Sequence, residues 1–403
     1  MAYQNVATPR FYIDYLSYWE SLGLIKEIYG YEDEGTFIEK GSFVGLDPAL
    51  PCEISMNTDI IDGTSLTINL NWGSFISRKN LESMNYVGLL GHNINQTFDD
   101  SDPGSVRLNF WKREDDDVNP WQHLWRGALT APTSIINAES AYSNVEGEFG
   151  TFAQLPNSGF SIFGADINIG ATHEYDEEGN VIEITDMDSI KADKIVLSLR
   201  WFKDEDFLTS INGNAFLNCL CFGHYYDMPV SPDLSLSMEI QFDGYSSIKT
   251  LGGSTLTRTR YKGAPKWGEY NPWEIGESEG SITRNGRRVW SLKFSYISDN
   301  DLFASNYMSN PHLNYNSTNT EYNTNNDLTD DGSEFQYTLE DDDSFIAKVL
   351  NFVGNGERFI FQPNNDSSNP SDYAICVLDQ KSFKITQKAF KSYSIGMKIM
   401  EVW

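Results

Sequence analysis

Apolar and polar residues alternate at period two through much of this chain, and that leaves it few folds to choose from. Leu66, Ile68, Leu70 and Trp72 alternate with Ser65, Thr67, Asn69 and Asn71. Ile195, Leu197, Leu199 and Trp201 form a second stripe, and Leu234, Leu236, Met238, Ile240 and Phe242 a third. Trp290, Leu292, Phe294 and Tyr296 make a fourth, and Tyr393, Ile395, Met397 and Ile399 a fifth. Successive side chains of a strand point to opposite sides of the sheet, so such stripes predict antiparallel strands with one dry and one wet face. Glu178-Gly179-Asn180, Asp243-Gly244 and Arg284-Asn285-Gly286 are the turn signals between runs. The expected class is mainly β, in antiparallel β-sandwich or barrel-like modules.

Helical signal is sparse. Thr8 can cap a helix that has Pro9 in its first turn and Gly23 as its stop, with Phe11, Tyr15, Trp19 and Leu22 on one face. A second short helix is expected from about Asp343 to Phe352, burying Phe345, Ile346, Val349 and Leu350. At roughly 150 residues per domain, 403 residues allow two or three domains. Gly147 to Gly159 reads as a linker or long loop. The organisation expected is therefore an N-terminal helical docking segment over residues 1–30, a β-rich domain over 31–150 and a second over 151–403. Eight asparagines between Asn306 and Asn326, running on into Asp327, Asp330 and Asp331, predict an exposed insertion over about 305–343.

Charge narrows the partners. There are 29 Lys and Arg against 58 Asp and Glu, a formal net charge of −29. A polyphosphate would be repelled by such a chain, as would an anionic membrane surface, so direct nucleic-acid binding is not expected. No run reaches the roughly 20 apolar residues of a membrane span. Met1 to Gly23 lacks a basic region followed by an unbroken apolar one, and so does not read as a secretory signal. Four cysteines are too few for a disulfide scaffold, which suits a reducing cytoplasm. Cys219 and Cys221 share one side of a strand near His224, a weak metal-ligand pattern; with no second pair at ligand spacing, buried free thiols are the expectation.

The search for catalytic patterns yields little. His173-Glu174 lacks the second histidine of a zinc-protease helix, and no nucleophile elbow, phosphate loop or dinucleotide-binding glycine pattern is found. Gly354-Asn355-Gly356 reads as a helix C-cap. Asp327, Thr329, Asp331 and Gly332 open like a calcium loop, but Thr338 stands where a bidentate Glu is required. The five histidines, at 92, 123, 173, 224 and 312, are scattered, and the runs Asp115–Asp117 and Asp341–Asp343 read as solvated loops or helix starts. No catalytic, cofactor-binding or metal-binding residue is assigned. Trp111, Trp121 and Trp125, with Lys112, Arg113 and Arg126 nearby, suit core aromatics at a sheet edge, an interface anchor or a glycan platform.

Three stretches resemble virion proteins of tailed bacteriophages, particularly tail-associated structural proteins of marine and environmental phages. They are Gln4 to Ile13, then Gly286 to Asp299 ahead of Asp301-Leu302-Phe303, and the C-terminal module from Arg358 to Pro363 through Tyr373 to Cys376 and Met397 to Trp403. Ending on an amphipathic strand is similar to minor and distal tail proteins. The resemblance covers about a fifth of the chain. It implies a non-enzymatic part of the tail, near its distal end or baseplate, that works as a homo-oligomer bound to other virion proteins.

On that reading the expected assembly residues are Phe11, Tyr15 and Trp19 on the N-terminal helix, Arg288, and Trp403 on the last strand. Arg288 could grip a carboxylate bidentately or be an ordinary surface arginine. The last strand could close a sheet within the chain or add to a neighbour's open edge. Excess carboxylates facing a DNA conduit would repel the genome and let it slide. Receptor or glycan binding through the three tryptophans, as in a tail fibre or capsid-surface protein, is the alternative.

Overall fold

The protein is described from a computed structural model. It describes residues 6–30, 36–38, 43–48, 52–54, 64–70, 76–77, 84–92, 105–113, 121–130, 141–142, 152–154, 160–166, 173–175, 181–183, 191–192, 194–200, 215–242, 245–259, 286–303, 343–367 and 372–402. The Asn-rich stretch, Trp403 and all of Gly147 to Gly159 except Phe152–Gln154, which form a strand, lie outside the described residues.

The chain is mainly β, and every pairing among the described residues is antiparallel. The first strands are β1 (Arg10–Asp14), β2 (Ile25–Gly30), β3 (Thr36–Ile38), β4 (Glu53–Ile54), β5 (Thr64–Leu70), β6 (Ile76–Ser77), β7 (Tyr86–His92), β8 (Ser105–Arg113) and β9 (Trp121–Thr130). Next come β10 (Ala141–Tyr142), β11 (Phe152–Gln154), β12 (Phe160–Asp166), β13 (His173–Tyr175), β14 (Val181–Glu183), β15 (Lys191–Ala192), β16 (Lys194–Arg200) and β17 (Ala215–Asp227). The last are β18 (Ser237–Gln241), β19 (Tyr245–Lys249), β20 (Thr255–Thr259), β21 (Arg287–Ser298), β22 (Phe359–Gln362), β23 (Ala374–Leu378), β24 (Ile385–Ala389) and β25 (Ser392–Glu401).

The main sheet runs β18-β21-β25-β23-β22-β1-β17-β7-β12-β9-β8-β16-β5-β2-β3, and β24 shares the edge of β25 with β23. Strands before and after residue 150 hydrogen-bond to each other, β7 with β12 and β17, and β5 and β8 with β16.

The middle of this sheet is dry on both faces rather than on one. Phe11, Ile13, Val87, Leu89, Leu220, Phe222, Phe359 and Phe361 belong to one buried cluster. Tyr12, Tyr86, Leu90, Cys219, Cys221, Ile360, Tyr373 and Ile375 belong to a second. The local sequences say why: Phe-Tyr-Ile, Cys-Leu-Cys-Phe and Phe-Ile-Phe are continuous apolar runs, the composition of strands covered on both sides. The first cluster also takes in Ile28 of β2, Ile68 of β5 and Ile195 of β16, so the sheet folds back over itself as a sandwich.

The N-terminal helix is shorter than its sequence suggests. Arg10 to Asp14 run as β1, in register with β17 on one side and β22 on the other, and helix α1 spans only Tyr15–Ser21. Two open edges offer those residues ladders on both sides, which outweighs the capping potential of Thr8 and Pro9. The cap is Asp14 instead, accepting from the backbone amides of Leu16 (3.1 Å) and Ser17 (3.0 Å). Gly23 does stop the helix, in the left-handed region at φ 70°, with its N–H donating to the Glu20 carbonyl.

The second helical segment lies where expected. It opens as a wide π turn, Ile346–Leu350, and closes as α-helical Asn351–Val353, burying Phe345, Ile346 and Val349 and part-burying Leu350. His224 of β17 holds the turn. Its Nε2 donates to the Lys348 carbonyl at 2.7 Å, and its Nδ1 accepts from the Tyr15 hydroxyl at 2.8 Å. Burial, aided by the Lys348 ammonium, lowers its pKa to about 3, so the ring is neutral.

Candidate assembly surface

The third apolar stripe of the sequence becomes β18, the last strand at one end of the main sheet. Its only pairing among the described residues is with β21, Ser237↔Ser291 through Gln241↔Arg287. The stripe is part-buried only in its middle, where Leu236 and Met238 pack against the core. Ile240 and Phe242 run past the core's rim and are 51% and 67% exposed, and Leu234 before them is fully exposed. A dry stripe over its whole length was expected; the strand overshoots what lies beneath it.

Local contacts fix this edge in place. Asp233 accepts from the Ser295 backbone amide (3.2 Å) and hydroxyl (2.8 Å), and its own N–H donates to the Lys293 carbonyl at 2.7 Å. Gly286 allows β21 to start against β18: a Cβ there would stand 2.4 Å from the Gln241 carbonyl oxygen.

The two strands that follow, β19 and β20, form a hairpin in a sheet of their own, with Ile248 directly opposite Leu256. These side chains are 67% and 61% exposed, and Leu251 at the tip is fully exposed. The tip is internally tied. Thr250 N–H donates to the Ser254 carbonyl (2.8 Å), Ser254 N–H to the Thr250 hydroxyl (3.1 Å), and Gly253 takes φ 84°. A two-stranded hairpin is marginal in water by itself. The sequence reading missed it; the Gly252-Gly253 pair between Ser/Thr-rich runs was the available signal.

The residues singled out from sequence lie elsewhere. Phe11, Tyr15 and Trp19 are interior: Phe11 sits 5.3–5.7 Å, ring to ring, from Phe345, Phe359 and Phe361, and Trp19 is 5.5 Å from Phe222. Arg288 does grip a carboxylate bidentately, but that of Glu401 in its own chain, at 3.0 and 2.9 Å. A third bond to the Tyr373 carbonyl (2.7 Å) makes it a clamp between β21, β25 and the residue that leads into β23. The final strand β25 pairs internally with β21, β23 and β24. Trp111 lies on β8 opposite His123, and Trp121 on β9 opposite Arg113; a bulge then sets Trp125 opposite Phe110, interrupting the alternation.

Cys219 and Cys221 face the second cluster, while His224 lies on the opposite face with Tyr15 and Phe352. The three therefore do not converge. Burial raises both thiols well above their ordinary range, which suits packing rather than ligation. Among the described residues no three His, Cys, Asp or Glu side chains form a metal-holding group, and no helix is long and apolar enough to cross a membrane. Comparison with protein-family models, with curated proteins and with solved structures finds no match to this chain.

Proposed function

We propose that this protein is a structural component of a bacteriophage tail, in the distal or baseplate region, working by assembly of copies with one another and with companion virion proteins. The observation that carries the reading is the apolar sheet end at β18, continued by the hairpin β19–β20. A strand edge with no second partner among the described residues, and bearing exposed apolar side chains, is a liability for a solitary subunit and an asset for one built to be covered. Glu239 is the single charge on that strand. The resemblance of the opening, the β21 region and the C-terminal module to tail-associated proteins supplies the virion context.

Neighbouring subunits must bury more than about 1,000 Å² per contact for a particle that persists outside a cell. Peptide mass spectrometry of purified particles should find this chain at a fixed ratio to the other tail proteins, and light scattering on the purified chain should return a multiple of its mass. A solitary subunit that turns over a substrate and is missing from the particles would overturn the proposal.

A further inference from the structure

The hairpin β19–β20 differs in charge from the chain that carries it. From Tyr245 to Gly268 the sequence holds five of the chain's 29 Lys and Arg and none of its 58 Asp and Glu. Within the hairpin these cations are Lys249 and Arg258. The register places Arg258, opposite Ser246, on the same face as Ile248 and Leu256, and Lys249, opposite Thr255, on the other. The hairpin thus presents apolar contacts flanked by positive charge, on a tip whose own hydrogen bonds preorganise it for docking.

We propose that this hairpin seats on the acidic surface of a second copy of the same chain, in a head-to-tail contact. The inference rests on the assembly reading above and gives that assembly its contact. Charge decides the geometry. In a two-fold contact centred on the hairpin, tip would meet tip and cation would be set against cation. In a head-to-tail contact the hairpin meets the body of the next subunit, where all the acidic residues lie, and attraction replaces repulsion. Contacts of that kind build rings when the rotation closes and filaments when it does not.

The test is made on the full-length chain by sedimentation and native mass spectrometry. Ile248→Ser with Leu256→Ser, and separately Lys249→Glu with Arg258→Glu, should each weaken self-association at least tenfold while the thermal melt stays that of wild type. A hairpin variant mixed with wild type should still be incorporated, because it keeps the acidic receiving surface. A photo-crosslinker at Leu251, in otherwise unaltered protein, should join the tip to acidic peptides of another copy; it keeps the proposal open to refutation even if a variant folds poorly. Undiminished assembly of both variants would overturn it, as would cross-links only within one chain, only hairpin to hairpin, or only to a different virion protein. A wild-type chain that stays monomeric at every concentration would overturn self-assembly as well, whereas its absence from particles would defeat the virion reading alone.

Discussion

Asp14 and His224 stand on adjacent strands, both buried, and they titrate in opposing senses. Asp14 accepts from the amides of Leu16, Ser17 and Phe222 and from the Ser17 hydroxyl, yet burial still pushes its pKa up to about 6. An unfolded Asp titrates near its ordinary 3.8, so between about pH 4 and 6 the native state binds more protons there, and its contribution to stability falls as pH rises. His224 runs the other way. Held near 3 when folded against 6.5 as a free group, it contributes stability above about pH 6.5 that is lost as pH falls toward 3. The two slopes, each at most about 1.4 kcal/mol per pH unit, offset each other between pH 4 and 6. Asp14→Asn removes one of them, so urea titrations should show the variant losing stability more steeply than wild type as pH drops from about 6 to about 4. Phe11 belongs to the core, not to an interface. Phe11→Ala should cost about 3–5 kcal/mol by chemical denaturation, even in protein dilute enough to be monomeric.

Two elements carry their own tests. Gly286→Ala would drive a methyl into the Gln241 carbonyl and should cost about 1–3 kcal/mol, with faster amide exchange confined to Ser237–Gln241. In β21 the register with β25 shifts between Phe294 and Ile297, and Tyr296 in that bulge sits at φ 67° with its side chain exposed. The bulge lets Phe294 and Ile297 both face inward, so Ile297, not the Tyr296 expected from alternation, fills the last buried place. Tyr296→Gly relieves a conformation that L-residues avoid and should gain about 0.5–1 kcal/mol; a loss in the melt would contradict backbone strain there. Alternation predicted strands but could not foresee a bulge, since an inserted residue leaves composition unchanged and resets every side chain beyond it. It could not separate β18 from β25 either, because the two stripes look alike in sequence and only the core beneath them differs. Nor could periodicity anticipate β1, whose Phe-Tyr-Ile run suits a helix face equally well until partners 200 or more residues away bring their edges.

At the level of the whole molecule, a net charge of −29 makes the folded state repel itself, more so at low salt. Raising ionic strength from about 0.01 to about 0.1 M shortens the screening length from about 30 to about 10 Å, so the melting temperature should climb by a few degrees. An unchanged or falling value would mean that local ion pairs such as Arg10–Asp227 and Arg288–Glu401 outweigh the overall excess. Class was legible at this scale, because aromatic and β-branched alternation has few other outcomes. The surface suited to assembly was legible only as one more stripe, since exposure belongs to packing and is not written in any single segment. The placement of β1 bears on how the polypeptide is made. Its ladders close on residues that follow it by 217 and 350 positions, Asp227 opposite Arg10 and Phe361 opposite Phe11, so this strand must wait for partners made much later. At about 5–20 residues per second that delay lasts tens of seconds, during which Phe11-Tyr12-Ile13 lack the native neighbours that bury them.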